Sequence, residues 1–405
     1  MNRLYARHRL DTRPSHLARA VALLGATDPE RVARTVEARW SPDGDALACF
    51  SVRSGFHLLL TAFDLPHGSE VLFSAVTHPD MPRIAEHHGL VAVPVDLEPE
   101  TLSPSPNALL RCLSPQSRVF VVAHLFGGHV DLRAPADICA RAGIVLVEDC
   151  AQAYDGPPDT GDPRAAASMC SFGILKTSTA LGGAILTVRD RSLLARMRER
   201  QRAWPVQRRR AHARRIAQTA AFVALTRPQA YATIARRMGA RFDHLVNSSV
   251  RAFPASSAAD LVRRLEQRPS APLLTLLLHR LETFDHARLA ARAASGVRLA
   301  AMLPPGLHAG GLALDHSHWL FPVVSDRPDE LIAGARAAGL DAARSASSVK
   351  AIPAPAGRPE LEPRSAQLVM SRLVFVPAYP ELPPGALDAL ARVLQGHGVD
   401  ELVAR

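Results

Sequence analysis

Between residues 54 and 190 the chain repeats one pattern: a short Val/Ile/Leu run without polar alternation, then a segment with helical spacing. The runs EVLFS (70–74), VAVPV (91–95), RVFVVAH (118–124), IVLVED (144–149) and GGAILTV (182–188) read as strands. Helices fit between them: Ser54 to Phe63, Asp80 to His88 closed by Gly89, and Leu132 to Ala142 ended by Gly143. Unbroken apolar runs mean strands covered on both faces, and alternation with helices means parallel pairing. The predicted class is α/β, with a mostly parallel sheet flanked by helices.

The pattern changes after residue 188. Residues 189–255 read as a basic, strand-free helical insertion with an apolar stretch from Ile216 to Leu225. From about 275 one long helical run leads to HWLFPVV (318–324), DELIAGARAAG, LVFVPAY (373–379) and PPGALDALARVL, the elements of a smaller α/β unit. The expected division is a large domain at 1–255 and a connecting helix with a small C-terminal domain at 256–405.

Charge is concentrated in the insertion. Eleven arginines against Asp190 and Glu199 between 189 and 215 account for most of the net +10. No zinc finger, helix-turn-helix signature or aromatic-interleaved basic strand accompanies them, so nucleic acid is not the expected partner. An anionic molecule, an acidic carrier or weak contact with a membrane face fits better, and packing on the main domain or a second subunit suits the apolar stretch. No run of 18 apolar residues occurs, and Cys49, Cys112, Cys139, Cys150 and Cys170 form an odd set without a CxxC pair. A cytoplasmic enzyme in a reducing compartment is the expectation.

Lysine scarcity points to chemistry. The only lysines are Lys176 and Lys350 among 48 basic Lys and Arg residues. Arginine can replace lysine where charge suffices, but not where an amine must lose its proton and form a Schiff base. Ligands of open parallel sheets sit at the strands' carboxyl ends, and there the chain places Asp149 after IVLV and His78 after EVLFS. Lys176 follows Asp149 by 27 residues, in SFGILKTSTALGG. Upstream, Arg53-Ser54-Gly55 opens a helix whose first N–H groups can cradle a phosphate. A Schiff-base amine, a carboxylate for a ring nitrogen, a phosphate nest and a flat ring together describe a site for pyridoxal 5'-phosphate.

The runs GSEVLFSAVTHPD, VPVDLEPETLSPSPNAL, HLFGGHVDL, VLVEDCAQAYDG, SFGILKTSTALGGAIL and LVFVPAYPELPPGALDAL follow, in order, the landmarks of one family. The chain resembles the DegT/DnrJ/StrS-type sugar aminotransferases, fold type I pyridoxal phosphate enzymes, over about 50–190 and again over about 318–395. The resemblance implies a homodimer that moves an amino group from glutamate or glutamine to a keto sugar nucleotide, or to a related cyclic or acyclic ketone, in amino-sugar or specialised metabolism. It makes Lys176 the Schiff-base and proton-transfer residue and Asp149 the partner of the pyridine nitrogen. Gln152 falls beside the phenolic oxygen, Ser171 by the phosphate, Gly55 and Phe56 where backbone N–H groups meet that phosphate, and His78 at the ring-stacking position.

Four departures accompany the resemblance. Phe56 replaces a threonine, and Leu181 stands where a glutamate usually precedes the Gly-Gly turn. The asparagine that crosses between subunits has no counterpart, with Glu266 or Gln267 nearest. The substrate loop is replaced by RSASSVKAIPAP, which carries Lys350. A fold relative with elimination chemistry, or with a non-catalytic regulatory role, is the alternative. His316 and His318 in DHSHW read as structural, Glu86-His87-His88 lacks zincin spacing, and no metal is expected.

Overall fold

A computed structural model describes residues 3–157, 160–243, 246, 256–344 and 347–397. Its strands are β1 (Ala46–Cys49), β2 (Glu70–Ser74), β3 (Val76–Thr77), β4 (Val91–Val95), β5 (Leu97–Glu98), β6 (Ser103–Pro104), β7 (Ser117–Ala123), β8 (Val145–Asp149), β9 (Ala167–Ser171), β10 (Ala184–Val188), β11 (Phe321–Val324), β12 (Lys350–Ala351) and β13 (Leu373–Val376). Seven of them form the main sheet in the order β1-β10-β9-β8-β7-β2-β4. Pairing is parallel from β9 through β8, β7 and β2 to β4, and antiparallel where β10 meets β9 and β1. The mostly parallel sheet is as expected.

Burial explains why these runs are strands. Val71, Leu72, Phe73, Val119, Phe120 and Val147 are fully buried, so each strand packs helices on both faces. The helix Val52–Phe63 is capped by Ser51, whose hydroxyl accepts from the Ser54 N–H, and it lies almost wholly inside. A Cβ at Gly55 would fall 2.4 Å from Leu186 Cδ1, so glycine sets the spacing of this helix against β10. Truncating a core residue such as Phe73 to alanine should cost about 3–5 kcal/mol.

Several elements differ from the sequence reading. The long run after 275 is two helices, Ala271–Glu282 and His286–Ala300, because Asp285 caps the second by accepting from the Arg288 N–H. HWLFPVV is strand only at Phe321–Val324; the residues before it dock on the loop after β7 instead, with Ser317 N–H to Gly127 O and Leu320 N–H to Phe126 O. Strand β11 pairs antiparallel with β13, and β12 crosses to pair with β3 of the larger half, Lys350 opposite Thr77. Strands β1 and β9 were not anticipated: ASMCS, the β9 segment, lacks the branched residues that mark a strand.

Among its described residues the basic arm contains the helices Arg191–Arg202, Arg209–Leu225 and Pro228–Met238, and no strand. Part of its charge is spent internally. Arg198 pairs with Glu37, Arg189 donates to Gly161 O and Asp162 O, and Arg196 donates to Ala62 O. Arg208, Arg209 and Arg210 are exposed, whereas Ile216 is buried against Leu274 and Leu277 of the chain's own helix. No described helix is long and apolar enough to cross a membrane. The expected domain boundary at 255 lies outside the described residues.

Candidate active site

Parallel pairing brings the carboxyl ends of β2, β7, β8 and β9 to one edge, with Ala123 opposite Asp149 and Asp149 opposite Met169. Of the two acids ending β8, Glu148 is fully engaged. It accepts from His124 Nε2 at 2.8 Å, Ser168 Oγ at 2.7 Å and the Asp162 N–H at 2.9 Å. His124 Nδ1 takes the Val130 N–H, so the proton sits on Nε2 and points at Glu148. Burial raises the Glu148 pKa, but these bonds overcome it and pull it down to about 2.

Asp149 is the opposite case. One oxygen accepts the Ala151 N–H at 3.0 Å and the other has no protein donor among the described residues. Burial raises its pKa, with the Ala151 bond and the nearby Lys176 charge pulling back. Such a carboxyl is suited to receive a cation or an N–H from a bound molecule.

Lys176 faces it without a direct ion pair. Its ammonium lies 4.3 Å from the centroid of the Trp319 ring. Burial lowers its pKa to about 8, Asp149 opposes that, and Arg53 adds to it. The amine is therefore partly deprotonated near neutrality, which its ordinary value would forbid. Trp319 is fixed by its indole N–H on Leu175 O, at 2.8 Å. His8 bonds the same oxygen at 3.2 Å, and burial holds its pKa at about 4. Neither Trp319 nor His8 was picked from the sequence, because only folding brings residues 8, 176 and 319 together.

The remaining residues sort as follows. His78 accepts the Asp80 N–H on Nδ1, leaving Nε2 free, and burial with the Arg53 charge lowers its pKa to about 4. Gln152 accepts from the Phe126 N–H at 3.1 Å and turns its amide toward Ser347 Oγ at 3.5 Å, so the altered loop reaches the site. Ser171 ends β9, its hydroxyl 3.5 Å from the Gly173 N–H. Lys350 is exposed, on β12.

Gly55 and Phe56 do not hold the place expected of them. The helix begins at Val52, so the Gly55 N–H is already taken by Ser51 O at 3.0 Å, and Phe56 lies a turn inside with its ring against Phe73. Position in the helix leaves the Val52 N–H without an intrahelical acceptor in the first turn. Positive charge gathers there. Arg53 pairs with Asp80 and acts on both Lys176 and His78, and partly buried Arg215 of the basic arm is pushed down in pKa by burial and by Arg53, with no acid offsetting it. Arg53 is thus compensated by Asp80, whereas the partly buried Arg215 charge meets repulsion from Arg53. The segment aligned with the missing asparagine packs in cis: Ser54 Oγ donates to Leu265 O, and Glu266 meets His57 at 3.4 Å.

Comparison with known proteins gives the same picture. Residues 35–224 match the pattern of the DegT/DnrJ/EryC1/StrS aminotransferase family. That match covers 190 of the 405 residues, a little under half of the chain. An L-glutamine:2-deoxy-scyllo-inosose aminotransferase of Micromonospora echinospora is 35% identical over 109 residues, and its counterpart from Streptomyces kanamyceticus is 35% identical over 111. Each alignment covers 26% of this chain and 26% of the relative, so the chain spans about a quarter of the length of the curated family members it matches. Whole-chain likeness comes from solved structures. Helicobacter pylori PseC, an aminotransferase involved in pseudaminic acid biosynthesis, superposes with TM-score 0.69 at 12% identity, covering 96% of this chain and 98% of that one. The sugar aminotransferase CalS13 of Micromonospora echinospora gives 0.66 at 20%, covering 98% and 100%. The fold is therefore that of these aminotransferases.

Proposed function

We propose that the protein is a pyridoxal 5'-phosphate-dependent aminotransferase that moves an amino group from glutamate or glutamine to a keto sugar nucleotide or a related cyclic ketone. The observation that carries this is Lys176 facing Asp149: an amine with its pKa lowered to about 8 opposite a buried carboxyl with an oxygen to spare. The donor set fits the cofactor. Asp149 suits a ring nitrogen, His78 a flat face, and Gln152 and Ser171 polar edges. The Val52 N–H at the helix start, with the Arg53 and Arg215 charges near it, suits a phosphate. When bound, pyridoxal phosphate supplies an electron sink for the pair left as the donor's Cα loses its proton.

The chain's own groups do the rest. Lys176 Nζ holds the cofactor covalently in the resting protein and, once released, carries the proton from the donor's Cα. Asp149 keeps the ring nitrogen protonated, because a buried carboxylate is stabilised by an adjacent positive charge. Trp319 lies against Nζ, where its ring face attracts the ammonium form, while burial lowers the pKa. The reading includes a large domain to about 255, a small C-terminal domain, a homodimer and a cytoplasmic location.

Purified protein with the cofactor should develop a visible absorbance band, and borohydride should fix the cofactor onto Lys176. Labelling at Lys350, or no absorbance, overturns the reading; absence of absorbance favours a non-catalytic relative. Incubation with glutamine and candidate ketones then separates reactions: a gain of amine in the ketone marks transfer, a loss of water marks elimination.

A further inference from the structure

One cleft gathers arginines from three parts of the chain. Arg198 and Arg202 of the helix Arg191–Arg202 meet Arg34 of the helix Pro29–Trp40, and Arg268 closes the ring. Ala33, Ala48, Pro269 and Leu274 give the cleft an apolar lining, and it encloses about 150 Å³. That is the size of a cavity that takes one benzene-sized molecule. Sites for cofactors and drug-sized ligands run to about 300–1,000 Å³, so a nucleotide is too large for this one.

Two carboxylates share the cleft, and each is neutralised. Glu37 is engaged on both oxygens: Oε1 accepts the Ala48 N–H at 2.9 Å, and Oε2 pairs with Arg198 at 2.7 Å. Glu30 Oε1 pairs with Arg268 at 2.7 Å. Both arginines are also anchored on backbone, Arg198 on Ala46 O at 2.6 Å and Arg268 on Trp204 O at 2.9 Å. Their guanidinium groups are thus fixed before a ligand arrives, which lowers the ordering cost of binding. Arg34 and Arg202 remain. Neither makes a hydrogen bond or ion pair with a described residue, and Arg34 adds only its field to Glu37. Four guanidinium groups against two carboxylates leave two positive charges at the opening, enough to balance a phosphate dianion.

Gln201 adds a second requirement. Its amide N–H donates to Ala48 O at 3.0 Å on the edge strand β1, and its carbonyl oxygen accepts nothing from a described residue. A ligand in the cleft meets that oxygen as an acceptor. A hydroxyl suits it, because an ammonium donor would add to the positive charge already there. We propose that the cleft binds a small phosphate monoester that carries a hydroxyl group, with Arg34 and Arg202 holding the phosphate. Guanidinium groups suit this ligand because their paired N–H groups match phosphate oxygens two at a time. None of these residues belongs to the set assigned to the cofactor, so the inference stands apart from the aminotransferase reading.

Titration calorimetry of the full chain, incubated with pyridoxal phosphate and freed of the excess, tests it at fixed ionic strength. The probes are glycerol 3-phosphate, ethyl phosphate and inorganic phosphate. We expect one glycerol 3-phosphate to bind per chain. Arg34→Ala and Arg202→Ala should each weaken it by about 10-fold or more, the loss of a charge-assisted hydrogen bond. Both side chains are exposed, so melting should not change. Gln201→Leu should erase the preference for glycerol 3-phosphate over ethyl phosphate while phosphate binding persists. No binding to the parent protein, or binding that survives both arginine substitutions, overturns the proposal. Equal affinity of the parent for all three probes overturns the hydroxyl requirement in favour of free phosphate.

Discussion

The two ends of the candidate site were built under different constraints. At the Lys176–Asp149 end two buried groups lie close enough for burial and mutual charge to set their pKa values. At the end proposed for the phosphate, the Gly55 N–H is bonded inside its helix and the Arg53 and Arg215 charges lie near each other. Covalent chemistry admits one kind of amine; neutralising a dianion admits any arrangement of positive charge. A chain with two lysines and an arginine-rich arm can rebuild the second end but not the first.

The largest expected effect breaks the first end. Lys176→Arg keeps the charge and removes the nucleophile, so turnover should fall by at least about 10⁴-fold while circular dichroism stays unchanged. Measurable transamination in that variant would dissolve the distinction. Asp149→Asn should follow, with a loss of about 10²-fold or more in kcat and little change in fold. At the phosphate end, Arg53→Ala and Arg215→Ala should each weaken cofactor binding by about 10-fold, the worth of one charge-assisted hydrogen bond. If Arg215→Ala binds the cofactor like the parent, the arm plays no part there.

A smaller effect lies in pH. The folded pKa of Lys176 is below its unfolded value, so between about 8 and 10.5 the unfolded chain binds more protons. Stability of the cofactor-free protein should therefore rise with pH through that window, and the rise should vanish in Lys176→Met. Smallest of all, reversing Arg208, Arg209 and Arg210 should leave melting unchanged and weaken anion binding only at low salt.

The same contrast explains what could be read from sequence. The parallel strands were legible because Val, Ile and Leu runs signal burial locally, and Lys176 stood out because the chain has almost no other lysine. Asp149 followed from its place at a strand end. Trp319, His8 and Arg215 were not legible: each reaches the site from a distant segment, and nothing local distinguishes it. Gly55 misled for a related reason, since a glycine that makes room for Leu186 looks the same in sequence as one that opens a phosphate nest.

Tyr5 bonds both Gly339 O and the Asp341 N–H, Arg7 pairs with Asp341, and Asp11 accepts the Ser178 N–H two residues beyond the lysine. Residues 5–11 are thus a strap stretched from the smaller sheet's flank to the turn that presents Nζ. A fusion partner or cleavage scar at this terminus would tug on that turn, so expression vectors should carry their affinity handle at the other extremity.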